Sequence, residues 1–130
     1  MRKTIAGLVA MLAPVGAVAQ PAECQVFQNA IIVSEEGEYL GKLASKYDQD
    51  SIFNKYGTHG SRYSSESIWN KYGDYGSRYA SESAFNEHTS TPPLIVKDGK
   101  VIARLTKNEH LAGAVDPMML AIICFDYEQD

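Results

Sequence analysis

The sequence predicts a small α+β domain, and three observations carry that prediction. Two β-branched runs, each folded about a turn signal, stand near residues 30–43 and 93–105. Between them one 16-residue phrase is written three times, over 45–92. Two cysteines, Cys24 and Cys124, lie one near each end.

The first hairpin, 30–43, joins Ala30-Ile31-Ile32-Val33 to the alternating Glu38-Tyr39-Leu40-Gly41-Lys42-Leu43 through Ser34-Glu35-Glu36-Gly37. The second, 93–105, joins Pro93-Leu94-Ile95-Val96 to Val101-Ile102-Ala103-Arg104-Leu105. Its Asp98-Gly99 turn is favoured because glycine takes φ > 0 without a Cβ clash. The two hairpins are expected to pair or stack into one antiparallel sheet holding the repeats. A short helix is predicted over 117–125, with Asp116 as its cap and Pro117 at its first position.

The repeats begin at Ser45, Ser61 and Ser77. In each copy the spacing of Ile52, Phe53 and Tyr56, or their equivalents, suits one face of a two-turn helix, with Gly57 and Gly73 where a left-handed cap would stop it. The expected fold is therefore two hairpins flanking three short-helix-and-turn repeats. Helices this short need their neighbours for support. Nine of the chain's thirteen aromatic residues fall in the repeats, so their packing is expected to be aromatic.

Residues 1–19 read as a signal peptide. A basic start, Arg2-Lys3, precedes an apolar run too short to span a bilayer comfortably, and Ala17-Val18-Ala19 suits cleavage. The remaining chain, residues 20–130, is one repeat-containing domain, periplasmic or secreted and without a membrane anchor. Cleavage lowers the net charge from −4 to −6, because two of the twelve basic side chains leave with the leader and none of the sixteen acids does. So acidic a domain has no electrostatic footprint for nucleic acid. In an exported chain Cys24 and Cys124 are expected to form a disulfide. Closing a loop of about 100 residues contributes at most about 4.7 kcal/mol in the chain-entropy picture.

The phrase Asn-Lys-Tyr-Gly-x-x-Gly-Ser-Arg-Tyr, with its partial copies, resembles the Asn-x-Tyr-Gly-x-Tyr-Gly-Ser-x-Tyr-Ser repeats of a group of uncharacterised exported bacterial proteins. The resemblance covers Ala30 to about His110 and implies a shared architecture, with no activity attached. The chain departs from that pattern at His59 and at Glu87-His88.

Chemistry is sparse. His59 stands in the slot of Tyr75, His88 in that of Tyr56 and Tyr72, and His110 in a worn fourth copy after Leu105. A side chain that exchanges with tyrosine between copies fills an aromatic slot, a role open to a phenol but not to a catalytic base. No H-x-x-x-H, H-E-x-x-H or G-x-S-x-G pattern is present. Asp48 and Asp50 lack the ligand spacing of a calcium loop. No catalytic residue, metal site or cofactor is expected.

What remains is the surface that repetition builds. Asn54, Asn70 and Asn86 recur at one phase, Arg62 and Arg78 at another, with Tyr63 and Tyr79 beside them. The asparagines and tyrosines of these rows, together with Tyr56, Trp69, Tyr72 and Tyr75, form a candidate binding surface, aromatic faces for stacking and amides for hydroxyls. The expected function is a non-catalytic binding or structural module of the cell envelope, its partner an envelope glycan or an envelope protein. The alternative is a metal-dependent protein or hydrolase that uses His59, His88 and nearby acids.

Overall fold

The computed structural model describes residues 21–128; the expected leader, 1–19, lies outside them. A 3-10 helix at Ala22–Phe27 opens the described chain. Strands β1 (Ile31–Val33) and β2 (Tyr39–Lys42) form the first hairpin, β3 (Leu94–Lys97) and β4 (Lys100–Leu105) the second. A two-residue strand, β5 (Ala114–Val115), and the helix α1 (Pro117–Phe125) complete the order.

The hairpins join edge to edge through the antiparallel pair β1–β3, and β5 adds in parallel to β4, giving one five-stranded sheet in the order β2-β1-β3-β4-β5. At the tip of the second hairpin Asp98 and Gly99 both have positive φ, 51° and 80°, as a tight two-residue hairpin turn requires. Ile32, Ile95 and Ala103 stand opposite one another in the register and so share a face. That face, with Leu40, Leu43 and Leu105, is closed to solvent.

The repeats pack onto it, but they are not helices. Among the described residues 45–92 the backbone is a succession of turns. Ser51, Asn54 and Gly57 each donate an N–H to the carbonyl three residues earlier, and Ser67, Asn70 and Gly73 do the same one copy on. Once per copy the step lengthens to four residues, Ser61 N–H to Gly57 O and Ser77 N–H to Gly73 O, both at 3.0 Å. Four steps of three and one of four make the 16-residue period. Between those bonds, side chains take over. Ser51, Asn54, Ser61, Ser64, Ser67 and Asn70 each accept the N–H two residues ahead through their side-chain oxygen, at 2.9–3.1 Å. Short polar side chains compete for backbone donors in this way, and a serine or asparagine at every third position diverts the chain from a helix. The expected glycine caps are absent too, since the glycines with positive φ are Gly37, Gly41, Gly99 and Gly113.

One corner of each copy faces the sheet. Ser51-Ile52, Ser67-Ile68 and Ser83-Ala84 are buried, and Ile52, Ile68 and Ala84 join the sheet's core cluster. Burying an isoleucine contributes roughly 1.5–3 kcal/mol, against about 1 kcal/mol for a capping bond. Packing therefore orients the spiral, while the caps shape it. Its first copy is tied to β2, because Lys42 N–H donates to Asp50 O and Ile52 N–H to Lys42 O. This covers an edge that would otherwise offer free backbone groups. At the far end Lys107 N–H bonds Ala84 O at 2.9 Å, and the Asn108 amide bonds Thr89 O at 2.8 Å.

Helix α1 seals the side. Asp116 Oδ1 accepts from the Met118 and Met119 N–H groups at 2.8 and 3.2 Å, the cap expected for this start. Phe125 stacks on Phe53 at 4.8 Å and Tyr127 on Trp69 at 4.9 Å. The Cys24–Cys124 disulfide, Cα–Cα 5.4 Å, fastens the helix to the 3-10 helix across a sequence separation of 100.

The spiral makes a sharp demand on the last glycine of the first two copies, Gly60 and Gly76. A Cβ on Gly76 would lie 2.2 Å from Asn70 O and 2.6 Å from Ile68 O, whereas one on Gly73 would meet only the Asn70 side chain, at 3.2 Å. Gly76→Ala should cost about 3 kcal/mol in urea denaturation, the scale of a clash the backbone must absorb. Gly73→Ala should change stability by less than about 1 kcal/mol. Equal effects would contradict the close approach.

Candidate functional site

The turn spiral decides which repeat residues can meet a ligand. Each asparagine is spent on the fold. Asn54, Asn70 and Asn86 accept through Oδ1 from the N–H of Tyr56, Tyr72 and His88, at 3.0, 3.0 and 2.9 Å. Their Nδ2 groups donate to Asp48 O, Ser64 O and Ala80 O, at 3.2, 3.0 and 2.9 Å. Both ends of each amide thus close the turns around it. Trp69 is buried, and its Nε1–H donates to Ile52 O of the preceding copy at 2.6 Å. Tyr75 is half-buried. Burial first, then the charges of Glu82, Glu38, Asp74 and Glu36, hold its phenol above the ordinary value.

The other tyrosines stand outside. Tyr56 and Tyr72 are 98% and 95% exposed, and Tyr63 and Tyr79 are 85% and 83% exposed. Tyr47, in phase with Tyr63 and Tyr79, is 84% exposed and belongs to the same set. Its phase was readable from the repeat; its exposure was not. These five side chains lie on two corners of the spiral, Ser-(Lys/Arg)-Tyr and Asn-Lys-Tyr, where a basic residue always precedes the tyrosine. Their backbone N–H groups are fixed by the serine or asparagine two residues earlier, at 3.0–3.2 Å. Stacking of the copies is close: the buried rings Phe53 and Trp69 and the half-buried ring of Phe85, one per copy, have centroids 6.5 and 5.7 Å apart.

Two hollows open beside them. The larger, about 900 Å³, lies against the second and third copies. Its inner side is Trp69 with the half-buried Phe85 and Met118, and its outer side is Tyr72, Tyr79, Lys71, Arg78, Glu87 and His88. Lys107 also lines it, held by Asp116 at 3.1 Å. The smaller, about 420 Å³, is bordered by Gln49, Asp50, Asn54, Tyr56 and His59.

The histidines are separated. His59 is buried, its ring edge-on to Tyr39 at 5.0 Å and its Nδ1 3.4 Å from Glu66 O. It borders the smaller hollow, while the exposed His88 borders the larger. His88 and His110 each donate a backbone N–H to an asparagine two residues earlier, so both occupy the turn position that Tyr56 and Tyr72 hold. Among the described residues no group of three His, Cys, Asp or Glu side chains could hold a metal ion. Acids gather elsewhere. Burial, then Glu36 and Asp74, hold the Glu82 carboxyl above its ordinary value.

Tyr39 supports this end of the spiral. Its hydroxyl donates to Asp50 Oδ2 at 3.1 Å, and burial, then that bond, push the phenol up to about 12. A raised phenol favours the neutral form in the fold. Its contribution is therefore complete below the unfolded value of 10.0 and is lost as pH climbs toward about 12. The unmodified protein should lose stability across that window more steeply than Tyr39→Phe does, in denaturant titrations at stepped pH. Parallel slopes would contradict a phenol held up by burial and by that bond.

No family model, curated protein or solved structure matches the chain, so the placement of these side chains is what a function must be read from.

Proposed function

We propose that the protein is an exported, non-catalytic binding module of the cell envelope that holds an extended glycan against its exposed tyrosines. One observation carries the reading: five tyrosines stand 83–98% exposed on turns whose geometry is fixed from behind. Large aromatic side chains left in water by a fold that buries Trp69 and Phe53 do no work for folding. Sets of exposed aromatic groups of this kind belong to interaction surfaces. Tyrosine presents an apolar face for a sugar ring and a hydroxyl for its oxygens, and a rigid turn removes much of the ordering cost of binding.

Export is supported by the leader pattern of residues 1–19, by the Cys24–Cys124 disulfide, and by the resemblance of the repeats to exported bacterial proteins. Among the described residues no helix is long and apolar enough to cross a membrane. The hydrolase alternative has no observation in its favour, since His59 and His88 border different hollows.

The test is retention on insoluble peptidoglycan and on a panel of immobilised polysaccharides, followed by competition with soluble oligosaccharides. Tyr56→Ala with Tyr72→Ala should weaken retention about 5- to 150-fold, two stacking contacts of about 0.5–1.5 kcal/mol each, and leave the unfolding temperature unchanged. A protein that no glycan retains, or a double variant that binds as well as the parent, would end the reading.

A further inference from the structure

We propose that the 900 Å³ groove beside the second and third copies selects a carboxylate-bearing sugar unit, such as a uronate, within the glycan. This rests on the glycan reading above and narrows it to a chemical class. The groove has the volume of a small-ligand site. Tyr72 and Tyr79 line it from the solvent side, with Lys71 and Arg78 each next in sequence to one of them.

The charges make the argument. Lys107 is already matched by Asp116, so it contributes little net charge. Lys71 and Arg78 have no ion-pair partner among the described residues. Only Glu87 among the lining side chains is acidic. The groove thus keeps an excess of positive charge in a chain whose net charge is −4. A neutral sugar has no use for two unmatched cations. A carboxylate does, because a guanidinium grips it with two parallel N–H bonds and an ammonium adds a second charged contact.

The neighbouring copy shows that the arrangement is local. Lys55, the counterpart of Lys71, reaches over the Tyr127 ring, 5.7 Å from its centroid. In the third copy Glu87-His88 replaces the Lys-Tyr pair. Of the two hollows, the one at the corner between the second and third copies is lined by a lysine without an ion pair, an arginine and two tyrosines.

The experiment titrates the folded, exported form with oligogalacturonate and with a neutral chito-oligosaccharide of equal length, by calorimetry at low and moderate salt. The acid should bind about tenfold more tightly at low salt, with the advantage shrinking as salt rises. Lys71→Gln with Arg78→Gln should reduce the preference to about one; because both side chains are exposed, its unfolding temperature should match the parent's. Equal binding of both sugars by the parent would overturn this proposal and leave the glycan reading standing. Binding of neither would overturn both. Should the double variant fail to fold, the parent's salt dependence decides alone: an acid affinity indifferent to salt refutes the proposal.

Discussion

A backbone that turns every three residues creates a supply problem. Neither a helix nor a sheet is present to pair its N–H groups, and unpaired buried donors are costly. In this chain the serine, asparagine or aspartate that opens most of the turns supplies the missing acceptor from its own side chain. Ser51, Ser67 and Ser83 do so while buried, bonding the N–H of Phe53, Trp69 and Phe85 at 2.9–3.0 Å. The remaining architecture follows from that local exchange. A corner capped in this way is self-satisfied, so its two further residues are free to face either the sheet or the solvent.

The inward corners carry Ile52, Ile68 and Ala84 and fill the space over the sheet. The outward corners carry the tyrosines and the basic residues before them. The spiral has no backbone ladder of its own and is closed at both ends by other parts of the chain. Strand β2 meets its first copy, and the segment after β4 meets its third. Helix α1 and the disulfide hold the aromatic side, where Phe125 and Tyr127 cover Phe53 and Trp69. The fold is a sheet that both supports and terminates a row of turns.

Much of this frame could be read from residues. Asp98-Gly99 specified a hairpin, Asp116-Pro117 a helix start, and two cysteines in a chain with a leader pattern specified one bridge. The repeats were misread as helical for a definite reason. Ile52, Phe53 and Tyr56 have helical spacing, but the same spacing places Tyr56 one turn step after Phe53 and on a different corner. The signal that separates the two was present in the order Ser45, Asp48, Ser51, Asn54: a capping residue at every third position, which a helix interior disfavours. Other features had no local trace. Gly60 and Gly76 are required by contact with carbonyls of earlier turns, at 1.9 and 2.2 Å for an added Cβ. For the candidate site, repetition marked the right rows but not their direction. Asn70 and Tyr72 sit two residues apart, yet the amide is consumed by the fold and the phenol faces water.

The most direct measurement is an NMR assignment of residues 45–92, with carbon shifts for the backbone and exchange rates for the asparagine side-chain amides. Chained, self-capped turns predict slow exchange at the Nδ2 protons of Asn54, Asn70 and Asn86, and no unbroken helical run of shifts in any copy. Continuous helical shifts over 48–56, echoed at 64–72, with freely exchanging asparagine amides, would contradict the turn spiral and release the asparagines as ligand contacts.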